Sequence, residues 1–157
     1  MPHNVLIVDD SATIRNMVKR TMGMIGLDIG EVYEASNGIE ALAQLSDHLV
    51  SVMVVDINMP TMNGIQLLAR AKEIQPEATR VLLTGHADKQ SAIQAINEIG
   101  LYQYLEKPWD NAQLGLVIGS GIERTRLLRN LRDKIAELDA AHSNLKEVQT
   151  RLLRAFL

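Results

Sequence analysis

Short apolar segments of the sequence end in polar side chains that could carry out chemistry. These side chains belong to Asp9, Asp10, Asp56, Thr84 and Lys107. Three carboxylates held close together repel one another unless a cation joins them, and oxygen ligands with open positions suit Mg²⁺. A lysine adds a positive charge for an anion, and a threonine hydroxyl adds a hydrogen bond. Together these groups predict a site that places a phosphoryl group on a carboxylate.

The elements that must position these side chains alternate along the chain between strands and helices. Apolar or alternating segments predict strands at residues 5–8, 29–35, 51–55, 79–83 and 102–105. Segments with helical spacing follow each strand, at residues 12–23, 38–45, 64–74, 87–99 and from about 111 onward. This order predicts parallel strands joined by right-handed crossovers. We therefore expect an α/β fold, a three-layer sandwich around a five-stranded parallel sheet.

The predicted sheet brings together residues that are far apart in the sequence. Ligands of such sheets bind at the carboxyl ends of the strands. Every candidate residue follows a predicted strand directly, so we expect all of them to meet at one rim. Asp56 is the expected nucleophile, because it follows the middle strand alone, with the acidic pair and Lys107 on either side.

The composition excludes several classes of protein. Hydrophobic residues make up 46% of the 157 residues and charged residues 22%, which predicts a folded domain with a core. Aromatic residues contribute only 3%, so the core must be aliphatic. The absence of cysteine excludes disulfides, thiol catalysis and thiolate zinc sites. No segment has the length and apolar character of a membrane span or a signal peptide, so we expect a cytoplasmic protein with no membrane partner.

Four motifs resemble the receiver domain of two-component response regulators. They are Val8-Asp9-Asp10-Ser11, Asp56-Ile57-Asn58-Met59-Pro60, Leu83-Thr84-Gly85 and Lys107-Pro108, in the family's order and spacing. The resemblance covers residues 1–121 and implies a flavodoxin-like (βα)5 fold. It also implies a signalling protein that accepts phosphate from a sensor histidine kinase and is not an enzyme with a substrate of its own. The first half is similar to chemotaxis regulators, and the second to receivers of HD-GYP and hydrogenase regulators.

The resemblance also implies a role for individual residues around the phosphoacceptor Asp56. Asp10 and Asp56 would bind Mg²⁺ directly, together with the Asn58 carbonyl, and Asp9 would act through water. Thr84 and Lys107 would contact the phosphoryl oxygens.

Two further roles concern switching and lifetime. Tyr104 matches the aromatic position that follows Thr84 inward on phosphorylation. Asn58 and His86 are expected to flank the phosphoryl group and tune its hydrolysis. For His86 an exposed loop position is an equally good interpretation.

The C-terminal segment, residues 122–157, differs from the body of the chain. It carries a net charge of +3, against -6 for the first 121 residues. Apolar residues recur at steps of three and four, which is typical of a coiled-coil seam. The seam residues are Leu128, Leu131, Ile135, Leu138, Leu145 and Leu152. We expect a parallel dimer with Lys134 and Asp139 paired across it, and His142 lying in the seam. A downstream output domain or protein is a further expected partner.

Other functions fit the sequence less well. A basic tail could bind nucleic acid, but no helix-turn-helix, zinc finger or aromatic platform accompanies it. A phosphatase of the haloacid dehalogenase class is an alternative, yet that chemistry needs an Asp-x-Asp pair on the first strand. An adaptor that works without phosphorylation is a third hypothesis, and the complete set of polar residues argues against it.

Overall fold

The computed structural model describes residues 3–26 and 29–156 of the chain. Within these ranges, five parallel strands form one sheet in the spatial order β2-β1-β3-β4-β5. The strands are β1 (His3–Val8), β2 (Ile29–Ala35), β3 (Val52–Asp56), β4 (Thr79–Thr84) and β5 (Gln103–Glu106). β3, the predicted middle strand, lies between β1 and β4 and is buried along its whole length. The winding direction reverses between β1 and β3, which places a ligand crevice beyond their carboxyl ends.

A helix follows every strand of the described chain. The helices are α1 (Ala12–Ile25), α2 (Gly38–Asp47), α3 (Gly64–Ile74), α4 (Lys89–Ile99) and α5 (Asn111–Phe156). The side chains of Ser11, Asn37 and Asn63 accept a backbone hydrogen bond at the starts of α1, α2 and α3. α1 and α4 end at Gly26 and Gly100, whose φ values of 69° and 71° are left-handed.

The predicted α/β sandwich is confirmed, with small differences at the ends of several elements. The fourth helix begins at Lys89 and not at residue 87, because His86–Asp88 form a separate 3₁₀ turn between β4 and α4. The fifth strand begins at Gln103, one residue later than predicted. The 3₁₀ turn is the more important difference, because it directly follows Thr84 at the expected site.

Alternate strand residues fill two aliphatic layers, one on each face of the sheet. One layer joins the sheet to α2, α3 and α4 through buried side chains such as Met53, Leu67 and Leu82. The other joins it to α1 and α5 through side chains such as Ile7, Val54 and Leu114. Apolar strands buried on both faces are typical of parallel sheets. This rigid support fixes the strand ends at which the polar residues lie.

The chain divides into a compact unit that ends at Thr125 and a second unit that begins at Arg126. In the first unit, the buried Thr125 hydroxyl donates to the Ser51 carbonyl at 2.7 Å and lies 2.8 Å from the Thr79 hydroxyl. In the second unit, the side chains of residues 130–155 are exposed. The domain boundaries at residues 1–121 and 122–157 stay a prediction. Among the described helices, none is both long and apolar enough to cross a membrane.

Candidate functional site

The carboxyl ends of β1 and β3 place three acidic side chains at one rim of the sheet. Asp56 is the last residue of β3, and Val8, the last residue of β1, aligns with Val55 of β3. Asp9 therefore follows β1 at the level of Asp56. One carboxylate oxygen from each of Asp9, Asp10 and Asp56 lies within 4.8 Å of the other two. The sequence predicted this convergence, because each of these residues directly follows a strand of the predicted parallel sheet.

The loop after β1 fixes Asp9 firmly. The Ser11 backbone N–H donates to Asp9 Oδ1 at 2.9 Å, and the Arg15 guanidinium donates to the Asp9 carbonyl. Arg15 is held in turn by Glu34 of β2, whose carboxylate lies 3.2 Å from Arg15 Nε. Asp9 is buried, whereas Asp10 is exposed. The acidic pair thus offers one fixed, enclosed carboxylate and one that is open to solvent.

Lys107 reaches the cluster from the end of β5. Its Nζ lies 3.1 Å from Asp56 Oδ1 and 3.3 Å from Asp9 Oδ2. The Lys107 backbone N–H donates to the Thr84 carbonyl at 2.7 Å, which aligns the loop after β5 with the end of β4. The Lys107–Pro108 peptide bond is cis. Because Nζ contacts both Asp56 and Asp9, the ammonium group lies between two of the three carboxylates.

The electrostatics of the cluster reflect burial and crowding. Burial raises the pKa of Asp9, and repulsion by the Asp56 carboxylate raises it further. The hydrogen bond from the Ser11 N–H and the positive charge of Lys107 oppose this shift but do not cancel it. Burial by itself lowers the pKa of Lys107. The hydrogen bonds to Asp56 and Asp9 and the attraction of their negative charges outweigh burial, so the pKa of Lys107 is raised. The cluster holds three acidic residues against one lysine, so it carries an excess of negative charge.

The donor set fits a hard divalent cation. The clustered ligands are carboxylate oxygens, without histidine or cysteine, and Asp10 is exposed to solvent. Mg²⁺ prefers oxygen ligands, binds through one or two carboxylates and retains several waters. The cluster could therefore hold such an ion and leave positions open for a phosphate oxygen. Asn58, the other expected ligand, lies in the exposed loop two residues after Asp56.

Thr84 ends β4 with a buried hydroxyl. Its side chain is fully buried, and its Oγ1 has no hydrogen-bond partner in the described part of the chain. A buried hydroxyl without a partner costs about 1–3 kcal/mol. The structure thus holds a hydroxyl next to the acidic rim whose hydrogen-bonding capacity is unused.

Tyr104 lies on β5, one strand beyond Thr84. It aligns with Leu82 of β4 and packs, half-buried, against the aliphatic layer of α2, α3 and α4. Residues two apart on a strand point to the same face, so Thr84 and Tyr104 share this face on neighbouring strands. This arrangement allows a movement of the Thr84 side chain to change the packing of Tyr104.

Two acidic residues at the site, Asp88 and Glu106, were missed by the sequence analysis. Asn58 Nδ2 donates to Asp88 Oδ2 at 2.7 Å, and His86 Nδ1 lies 2.8 Å from Glu106 Oε1. His86 is almost fully exposed, in keeping with the loop interpretation, yet it has this carboxylate partner. Both contacts depend on the 3₁₀ turn, which helical periodicity does not reveal. An acidic residue four positions after Thr84 was the only available signal.

The expected seam residues lie in the second unit and are described there by themselves. Leu128 is half-buried. The other five are about half or more exposed, namely Leu131, Ile135, Leu138, Leu145 and Leu152. Lys134 lies 3.3 Å from Glu137 of its own helix. The dimer seam and the pairing of Lys134 with Asp139 stay a prediction.

The chain is similar in sequence to receiver domains and to proteins that regulate chemotaxis or transcription. The family of response regulator receiver domains matches residues 5–118 of the chain. The chemotaxis protein CheY of Bacillus subtilis is 33% identical over 109 residues, which cover 69% of this chain and 88% of that protein. The hydrogenase transcriptional regulatory protein HoxA of Cupriavidus necator is 35% identical over 105 residues, or 67% of this chain and 21% of that protein. The chain spans only 21–30% of the length of three similar transcriptional regulators.

Solved structures give the same picture. A response regulator receiver domain protein from Clostridium thermocellum superposes with a TM-score of 0.73 at 33% identity, covering 80% of this chain and 98% of that one. A structure described as adenylate cyclase from Rhodopirellula baltica has a TM-score of 0.80 at 30% identity and covers 87% of this chain and 98% of that one. The rim residues from Asp9 to Lys107 all lie within residues 5–118, which the receiver family matches.

Proposed function

The chain belongs to the response regulator receiver family, and on this premise we propose that Asp56 accepts a phosphoryl group from a phosphohistidine of a sensor kinase. The observation that carries the proposal is the position of Asp56 at the end of the central strand, among Asp9, Asp10 and Lys107. Its carboxylate is almost buried, with a side-chain exposure of 8%, and has a fixed cation beside it. These features suit a nucleophile that must be aimed at one incoming group.

The transfer step needs little covalent chemistry from the protein. An Asp56 carboxylate oxygen bonds to phosphorus while the bond between phosphorus and the imidazole nitrogen breaks, and that nitrogen keeps the electron pair. Asp10, Asp56 and the Asn58 carbonyl would hold Mg²⁺, with Asp9 acting through water. The bound ion would neutralise the carboxylates and bind a phosphoryl oxygen. Lys107, already 3.1 Å from Asp56, is placed to contact another phosphoryl oxygen.

Switching begins at Thr84 and Tyr104 in this proposal. The Thr84 hydroxyl has no hydrogen-bond partner among the described residues, and a phosphoryl oxygen would offer it one. A movement of Thr84 toward Asp56 frees space on the same face of the sheet, and Tyr104 then turns inward. Asn58 and His86 flank the phosphoryl group and set how long it survives.

The signal leaves through the C-terminal helix. We propose that a second copy of the chain covers the exposed seam from Leu131 to Leu152 and forms a parallel coiled coil with it. Apolar residues that recur at steps of three and four on one helix can pack against the same residues of a second, identical helix. The Lys134–Asp139 pair would form twice in such a dimer. A downstream output domain or protein would respond to the changed arrangement of the two copies in the dimer. All of these steps would take place in the cytoplasm.

Phosphate labelling tests the proposal directly. Acetyl phosphate with Mg²⁺ should label the protein, and Asp56→Asn should abolish labelling because an amide is a poor nucleophile. Asp47→Asn is the matched control, since Asp47 is an exposed aspartate at the end of α2. It should be labelled like the wild type. Persistent labelling of Asp56→Asn would show that another residue is the acceptor.

A further inference from the structure

The side chain of Asn58 is held in one orientation by Asp88. Asn58 Nδ2 lies 2.7 Å from Asp88 Oδ2. A carboxylate only accepts hydrogen bonds, so the amide nitrogen must face Asp88. The amide oxygen, Oδ1, is then turned to another side and remains available as an acceptor. The bond is charge-assisted and short, which makes it stronger than a hydrogen bond between neutral groups.

Both ends of this contact are fixed to the rim of the sheet. Ile57, the residue before Asn58, donates its N–H to the Leu83 carbonyl at 2.9 Å, and its carbonyl accepts from Gly64 N–H at 2.9 Å. Asp88 closes the 3₁₀ turn with an N–H bond of 3.2 Å to the Gly85 carbonyl. The contact therefore joins the loop after β3 to the turn after β4, the two segments that flank Asp56 and Thr84.

We propose that Asp88 is a positioning residue for hydrolysis of the phosphorylated form: it fixes the Asn58 amide so that Oδ1 accepts a hydrogen bond from the attacking water. The water oxygen bonds to phosphorus as the bond from phosphorus to the Asp56 oxygen breaks. Asp56 leaves as a carboxylate with that electron pair, and inorganic phosphate and one proton pass to solvent. Asp88 does not touch the reacting atoms and acts only through Asn58. The proposal rests on the proposed function of Asp56.

The lifetime of the phosphoryl group tests this role. After labelling with acetyl phosphate and removal of the donor, Asp88→Ala should decay about three- to tenfold more slowly than the wild type, because holding one side chain in place is worth about one order of magnitude at most. Asp88→Asn should restore the wild-type rate, since its amide oxygen still accepts from Asn58 Nδ2. Asp47→Ala, an exposed aspartate outside the site, should have no effect.

A double variant distinguishes positioning from a general structural effect. Asn58→Ala should slow decay at least as much as Asp88→Ala, and the pair together should slow it no further, because Asp88 has nothing left to orient. Additive effects, or a lifetime in Asp88→Ala that is unchanged or shorter, overturn the inference while the labelled protein still supports Asp56 as acceptor. A wild-type protein that accepts no phosphate overturns the proposed function and this inference with it.

Discussion

Gly64 gives the sharpest test of how the fold holds the acceptor strand. It is the first residue of α3, and its N–H donates to the Ile57 carbonyl at 2.9 Å. A Cβ atom added there would lie 2.3 Å from the Asp56 carbonyl oxygen and 2.9 Å from its carbonyl carbon. Carbon and oxygen atoms normally stay about 3.3 Å apart, so Gly64→Ala must separate α3 from β3 by roughly 1 Å.

The cost of this separation follows from the rigidity of both partners. β3 is hydrogen-bonded on both edges, to β1 and β4, and its residues are buried. Overpacking a tight site costs about 1–3 kcal/mol, and because backbone and not a flexible side chain must move, we expect about 3 kcal/mol for Gly64→Ala. A displacement of Asp56 by roughly 1 Å should also slow labelling by acetyl phosphate about 100-fold.

Urea unfolding followed by the fluorescence of Trp109, the only tryptophan, measures the loss of stability. Gly23→Ala is the matched control. Gly23 lies within α1, and a Cβ atom there would meet no atom of the described residues within 4 Å. That variant should gain about 0.5–1 kcal/mol, because alanine favours a helix more than glycine does. A Gly64→Ala protein as stable as the wild type, and labelled as fast, would refute the close approach of α3 to Asp56.

Three further predictions concern charge and assembly. Lys107→Ala should bind Mg²⁺ at least about fivefold more tightly in a titration followed by Trp109 fluorescence, because a cation next to the carboxylates is removed, yet it should switch poorly on phosphorylation. Glu34→Gln should lose about 0.5–1 kcal/mol of unfolding free energy at pH 7. The hydrogen bond from Lys19, with that from Arg15, holds the pKa of Glu34 below its ordinary value of 4.5. The difference from wild type should therefore shrink as the pH falls below 4.5 and disappear once the pH has fallen through the lowered pKa of Glu34 in the folded protein. Leu138→Glu combined with Leu145→Glu should convert a dimer into a monomer in sedimentation experiments.

Matched variants at exposed positions serve as controls for these three predictions. Lys146→Ala, a change of an exposed lysine in the tail, should leave the Mg²⁺ affinity unchanged. An affinity in the Lys107 variant that is unchanged or weaker would contradict the geometry. Glu31→Gln, an exposed residue of the same strand as Glu34, should show no such pH dependence. Ala140→Glu with Asn144→Glu should leave the dimer intact, because both positions lie outside the seam. A wild-type monomer at tens of micromolar would exclude the coiled coil.

The sequence was sufficient for the fold because each strand is a short apolar segment that ends in a polar residue. Parallel strands bring such ends to one rim, so the proximity of Asp9, Asp56 and Lys107 could be predicted without coordinates. The resemblance to receiver domains is confirmed by the match of that family to residues 5–118. The roles of these residues, and the seam of the tail, stay predictions.

Contacts made by irregular segments could not be predicted. Asp88 meets Asn58 only because residues 86–88 form a 3₁₀ turn, and the spacing of apolar residues carries no information about such a turn. The bond from Arg15 to the Asp9 carbonyl also escapes sequence analysis, because it depends on how the loop after β1 meets the first turn of α1. The lack of a partner for the Thr84 hydroxyl among the described residues could not be predicted either, because it depends on the packing around the end of β4.

Chemical trapping of the acyl phosphate identifies the residue that accepts the phosphoryl group. Borohydride reduces an aspartyl phosphate to homoserine, which peptide sequencing by mass spectrometry assigns to one position in the chain. After labelling of the full chain with acetyl phosphate and Mg²⁺, we expect homoserine at position 56 and none at positions 9 and 10. Homoserine at position 9 or 10, or a labelled chain without homoserine at position 56, would show that Asp56 is not the acceptor.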